Sequence, residues 1–205
     1  MTAVVGQRDF QQEKQALLAP VALHPRAEVL ARPSIVPSAP GVYAWYFDGL
    51  SRLVPATGCH RVDGHTLLYV GISPKEPSRT GRVSKQSLRT RVQYHYRGNA
   101  EGSTLRLTLG VLLTEELGIE LRRVGSGTRM TFSDGERALS EWMEQNARVA
   151  FLETPSPWLV ERHLISELML PLNLDQNAHS PFRAELSQIR SAARARARAL
   201  PVLTK

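Results

Sequence analysis

The chain has 205 residues, enough for one domain with extensions and a sizeable core, and its 42% hydrophobic and 22% charged content excludes a disordered protein. A single cysteine, Cys59, excludes an intrachain disulfide and a multi-cysteine zinc ribbon. No stretch approaches the roughly 20 apolar residues of a membrane span, and Met1–Gln12 carries no secretory pattern, so the protein is expected in the cytoplasm.

The formal charge of +7 is unevenly placed. Eight basic side chains lie between Ile72 and Arg106 (Lys75, Arg79, Arg82, Lys85, Arg89, Arg91, Arg97 and Arg106) against Glu76 and Glu101. Six more lie between Pro181 and Lys205 against Glu185 alone, and the rest of the chain is net acidic. Clustered cations gain free energy by displacing counterions condensed on a polyanion. The plainer alternative is a solvated helical surface.

In chain order, residues 1–39 read as an N-terminal extension, with helical patches at Gln7–Leu18 and Pro25–Ala31 and a linker punctuated by Pro33, Pro37 and Pro40. Gly41–Phe47 (GVYAWYF) is aromatic and β-branched and predicts a strand, followed by an Asp48-Gly49 turn. Leu50–His65 reads as a long hairpin loop, and Thr66–Ser73 (TLLYVGIS) as the second strand. A basic loop from Pro74 to Arg82 precedes a helix capped by Ser87 and running to Arg97, and a second helix fits Thr104–Leu117. Arg129–Phe132 predicts a short strand, and Ser133 with Glu136 a capping box that opens a helix to Gln145. Arg148–Glu153 predicts a strand. Ser156 and Pro157 then start a helix over Trp158–Leu170, and a last helix over Pro181–Leu200 carries the arginine-rich tail. This divides the chain into 1–39, a central domain at 40–178 and a basic C-terminal helix at 179–205.

Within the helix after Ser156, Trp158, Leu164, Ile165, Leu168 and Met169 gather into one apolar sector, and Glu161 falls inside it. An inward carboxylate is costly unless it is paired with a cation or binds a metal. On the helix after Ser87, Leu88 and Val92 mark the buried stripe, with Arg91 and His95 one turn apart beside it. Arg91 is placed either to neutralise Glu161 or to reach a phosphate, and a lone histidine such as His95 is more often packed than catalytic. Tyr43 shares a strand face with Trp45 and Phe47, and Tyr69 shares one with Gly71, which leaves room for a bulky group to approach the backbone. Cys59, His60 and His65 lack a fourth zinc partner, and Gly125-Ser126-Gly127 reads as a turn.

The order of these residues is more specific than any one of them. Gly41-Val42-Tyr43, then Tyr69-Val70-Gly71, then Arg91 with His95, then Glu161, then Asn173 resembles the GIY-YIG nuclease superfamily over roughly Pro40 to Asn177. The link from Gly71 to Arg91 is longer than the family commonly has, and Lys75 or Lys85 stands in for its lysine. The long basic link resembles the restriction-enzyme branch, and Asn177 is a rival to Asn173. The resemblance implies an α/β fold with a small, largely antiparallel sheet flanked by helices. It implies a DNA endonuclease in which Glu161 holds one Mg²⁺ or Mn²⁺ and Arg91 stabilises charge on the phosphate. Tyr43 or Tyr69 acts as general base while the other positions the water, His95 shares the proton traffic, and Asn173 closes the site. Lys75, Arg79, Arg82, Lys85 and Arg89 in the basic link, and Arg190, Arg194 and Arg198 in the tail, are the expected phosphate contacts. RNA would change only the substrate; the alternative is a non-catalytic nucleic-acid-binding module retaining the fold. Tyr43, Tyr69, Arg91, His95 and Glu161 are expected to converge on one concave, positively charged pocket.

Overall fold

The computed structural model describes residues 10–50, 52–78, 81 and 84–204. Arg79 and Arg82, two of the basic residues singled out above, lie outside the described residues. The chain opens with α1 (Gln11–Leu18) and α2 (Arg26–Leu30), followed by β1 (Gly41–Phe47), β2 (Arg61–Val62) and β3 (His65–Ser73). Next come α3 (Leu88–Arg97), α4 (Thr104–Leu112), α5 (Thr114–Leu117), β4 (Arg122–Val124) and β5 (Arg129–Thr131). It closes with α6 (Gly135–Asn146), β6 (Ala147–Glu153), α7 (Pro157–Glu167) and α8 (Arg183–Ala199). The protein is α/β. An antiparallel sheet of order β2-β3-β1-β6 is flanked by helices, with β4 and β5 forming a separate pair. No helix among the described residues is long and apolar enough to cross a membrane.

The unbroken apolar run of β1 makes it a central strand, buried along its whole length. Its alternate residues feed two cores. Tyr43, Trp45 and Phe47 pack with Leu88, Val92 and Tyr96 of α3. Val42, Ala44 and Tyr46 pack with Val160, Leu164 and Ile165 of α7 and with Leu17 of α1. Tyr46 Oη donates to the Leu17 carbonyl at 2.6 Å, and His24 bridges to Val149 of β6. The proline-rich stretch lies across the start of α3, where the Pro37 and Ala39 carbonyls accept from the Arg89 and Leu88 amides.

Several local expectations are corrected. The loop before β3 contains β2, turned by Asp63 and Gly64 at φ 47° and 80°, the two positive values that a tight two-residue hairpin needs. The helix expected over 104–117 breaks at Leu113. There the Thr114 hydroxyl donates to the Gly110 and Val111 carbonyls and competes with the helical ladder. β4 was not anticipated; it exists by pairing with β5. α7 ends at Glu167 rather than Leu170, because the following residues peel away to β3, where the Leu172 amide donates to the Leu68 carbonyl. The Ser156 hydroxyl makes no capping bond.

The expected capping box at Ser133 is replaced by a tertiary network. Ser133 sits at φ 52°, and the Glu136 carboxylate accepts from the Phe132 and Ala100 amides at 3.1 and 2.8 Å. It also pairs with Arg106, whose guanidinium is fully buried and donates further to the His95 carbonyl and Ser140 Oγ. Arg106 therefore belongs to the interior, not to a polyanion surface. Glu136→Ala would leave that guanidinium without its counter-charge. Urea unfolding should register a loss of about 3–5 kcal/mol, and a loss below about 1 kcal/mol would show that the pair is not what anchors α4 to α6.

Candidate active site

Two glycines let β1 lie close to its neighbours. Tyr43 faces Gly71 in the β1–β3 register, and a Cβ at Gly71 would stand 2.6 Å from Tyr43 Oη. The bulky group for which Gly71 leaves room is therefore the Tyr43 ring itself. At Gly41 a Cβ would run into the Leu152 carbonyl oxygen of β6.

Ser87 caps α3 by accepting from the Thr90 amide at 3.2 Å, and that sets the face on which Arg91 and His95 emerge. His95 is fully buried, with Nε2 2.8 Å from Tyr43 Oη and Nδ1 2.7 Å from Ser103 Oγ. Arg91 is half-buried, and its Nη1 donates to the Gly102 carbonyl at 2.8 Å. It forms no ion pair with Glu161, so the pairing that would have made Glu161 purely structural does not exist. Glu161, half-buried on α7, has no hydrogen bond or ion pair to any described residue. Asn173 is buried. Its side chain accepts from the Val70 amide and donates to the Val70 carbonyl, both at 2.9 Å, so it acts as a surrogate strand on β3.

A cleft of about 990 Å³ gathers Tyr43, Tyr69, Gly71, Lys75, Arg91, Glu161 and Asn173. Arg190, Arg194 and Arg198 of α8 line the same cleft. Among the described residues its charged lining comprises six basic residues against the four carboxylates Glu76, Glu101, Glu161 and Asp175. His95 is not in the lining and meets the cleft through Tyr43, to which it is hydrogen-bonded, and Tyr69, whose ring it meets edge-on. Lys85 is exposed and Arg89 half-buried, both outside the cleft, and Arg89 Nε donates to the Val36 carbonyl at 2.6 Å. Ser103, Thr104 and Asp175 were not singled out from the sequence. The run Gly102-Ser103-Thr104 before an apolar helix marks Ser103 as an N-cap, which it is, but nothing local marks it as the partner of a histidine.

Burial dominates the titration of the site. It raises the Tyr43 phenol, with Tyr69 adding to the effect and Arg91 opposing it. It raises Tyr69 as well, against a hydrogen bond from Thr104. Burial, with Arg91 and Arg106 nearby, holds His95 well below the ordinary imidazole range, so the ring is neutral. Glu161 is pushed up to about 7, by burial first and by Asp175, with Lys75 opposing. One unpaired carboxylate beside open space fits a hard cation that keeps most of its waters, as Mg²⁺ does. No cluster of three or more acidic, histidine or cysteine side chains among the described residues offers a fuller protein cage.

Residues 41–192 match the family described as GIY-YIG catalytic domain. No curated protein and no solved structure matches the chain.

The Glu161 shift has a stability consequence. Its folded value, about 7, lies above the ordinary 4.5, so the fold favours the protonated form. That contribution is complete below pH 4.5 and is lost as pH rises through 7. Glu161→Gln has no proton to lose. In metal-free buffer at pH 8 the variant should be more stable than the parent by on the order of 1–3 kcal/mol, and the two should converge in acid. Parallel thermal melts across pH test this; a variant less stable at pH 8 would mean that a cation of the protein pairs with Glu161 after all.

Proposed function

Since the chain belongs to the GIY-YIG nuclease superfamily, we propose that it is an endonuclease hydrolysing phosphodiester bonds in DNA, with one divalent ion, Mg²⁺ or Mn²⁺, held by Glu161. Nucleases of this family generally depend on a divalent metal. One observation carries the reading: a half-buried carboxylate with no ion pair among the described residues shares a cleft with two tyrosines and an arginine. The basic excess of the lining suits a polyanion.

In this reading water attacks the phosphorus, and the bond from phosphorus to the 3′ oxygen breaks. Burial keeps Tyr43 protonated, so it works as a base only by passing its own proton on. As Tyr43 Oη takes a proton from the attacking water, the phenolic proton moves to His95 Nε2. His95 is neutral at the outset, and Ser103 Oγ, accepting the Nδ1 proton, would fix the tautomer that leaves Nε2 free; burial, Arg91 and Arg106 disfavour the imidazolium, so the proton rests there only until solvent takes it up. Arg91, with one nitrogen tied to Gly102 and its guanidinium also against the Tyr43 phenol, turns its other donors to the phosphate oxygens. Tyr69 positions the water or the phosphate, and Asn173 keeps β3 and the segment after α7 in register. The divalent ion supplies positive charge at the phosphate and the leaving oxygen when bound, and the leaving oxygen takes its proton from solvent.

Plasmid cleavage in Mg²⁺ or Mn²⁺, set against EDTA, tests the reading. Glu161→Gln should bind DNA like the parent and cut it slower by several orders of magnitude. Arg91→Ala should also cripple cleavage, with lysine rescuing only part, because a point charge does not copy the guanidinium fork. A readout independent of cutting is available: millimolar Mg²⁺ should raise the melting temperature of the parent at pH 8 and leave Glu161→Gln unmoved. Equal cutting by Glu161→Gln, with contaminating nuclease excluded, would hand the protein to the binding-module alternative.

A further inference from the structure

α8 presents two faces. Leu186, Ile189, Ala193 and Ala197 pack into the core, while Ser187, Arg190, Ser191, Arg194 and Arg198 line the cleft beside Tyr69 and Glu161. Its far end is pinned. Arg123 donates from Nε to the Ala197 carbonyl at 3.2 Å and from Nη2 to the Leu200 carbonyl at 2.8 Å. Leu203 then bridges to Val124 of β4. The helix is thus a fixed wall of the cleft and not a trailing arm.

Many arginines of the body are occupied internally: Arg89 with Val36, Arg106 with Glu136, Arg123 with the end of α8, Arg162 with Glu76. Arg190, Arg194 and Arg198 differ. Among the described residues none accepts a hydrogen bond from them or pairs with them, and Nε of Arg190 is buried without any partner. Like charges one turn apart on a helix face repel, and Asp175 offsets this only in part, at Arg190. An anionic ligand would offset it along the row.

Resting on the nuclease reading above, we propose that α8 is a rail for one DNA strand, on which Arg190, Arg194 and Arg198 hold successive phosphates leading away from the reacting one. Residues four apart advance along a helix by about 6 Å, a step comparable with the separation of neighbouring phosphates on a strand. Arg190 lies close enough to Tyr69 and Asp175 of the cleft to interact with both. Rigid docking matters here, because a preformed row loses little conformational freedom on binding. Arg196 provides an internal control: it lies on the same helix, carries the same charge, is exposed, and is not in the cleft lining.

The test measures affinity of the full-length protein for a labelled DNA duplex in EDTA across a series of salt concentrations. Arg194→Ala and Arg198→Ala should each reduce the log–log salt slope by about 0.9, and the double variant by about twice that. Arg198→Lys should keep the slope, and Arg196→Ala should leave slope and affinity unchanged. If Arg196→Ala lowers the slope as much as Arg198→Ala, a diffuse field replaces the rail. Unchanged slopes in both Arg194→Ala and Arg198→Ala reject the rail outright. Because no cutting is needed, the two readings fail separately: the expected slopes with no plasmid cleavage sink the nuclease and keep the rail, while cleavage with unchanged slopes does the reverse.

Discussion

Tyr43 can lie across its neighbouring strand because that strand has no side chain at position 71, where even a methyl group would collide with the phenol. The freedom is steric before it is conformational: neither Gly41 nor Gly71 sits at a positive φ. Much of the site follows from this contact. It delivers Tyr43 Oη to His95 Nε2, orients that ring between the phenol and Ser103, and leaves the tyrosine edge at the cleft. Gly41 lets β6 approach β1 in the same way, so the two motif glycines set the sheet spacing on either side of one tyrosine.

Two carboxylates on two helices show how burial alone does not distinguish structure from chemistry. Glu136 on α6 meets the buried Arg106 and two backbone amides, and its charge is neutralised within the fold. Glu161 on α7 meets no described cation at bonding distance, and burial raises its proton affinity. The first arrangement ties α4 to α6. The second stores an unfavourable ionisation that an external cation relieves.

The cleft is built where segments outside the sheet close over its edge. Asn173 satisfies both backbone groups of Val70 where no strand continues, and the end of α8 is held by Arg123, which donates to the Ala197 and Leu200 carbonyls. The result is a rigid surround for a site whose reactive groups come from β1, β3, α3 and α7.

The sequence alone determined the elements whose signals are local. The apolar runs of β1 and β3, the Ser87 cap of α3, the Pro157 start of α7 and the alanine-rich run of α8 each report what one segment buries and where it begins. The order of Tyr43, Tyr69, Arg91, Glu161 and Asn173 was legible too, and the structure gathers all five in one cleft. Only the tertiary structure decided the rest. β4 exists by pairing, a turn of hairpin hid in the loop before β3, and Glu136 left an apparent helix cap for an arginine 30 residues away. Of the basic residues that looked alike in the sequence, Arg89 and Arg106 are bonded to the fold, while Arg190, Arg194 and Arg198 face the cleft with no bonded partner among the described residues. The reason is physical. A hydrophobic period is a property of one segment, whereas the role of a charge depends on the distance to its counter-charge, and that distance is set only when remote segments pack.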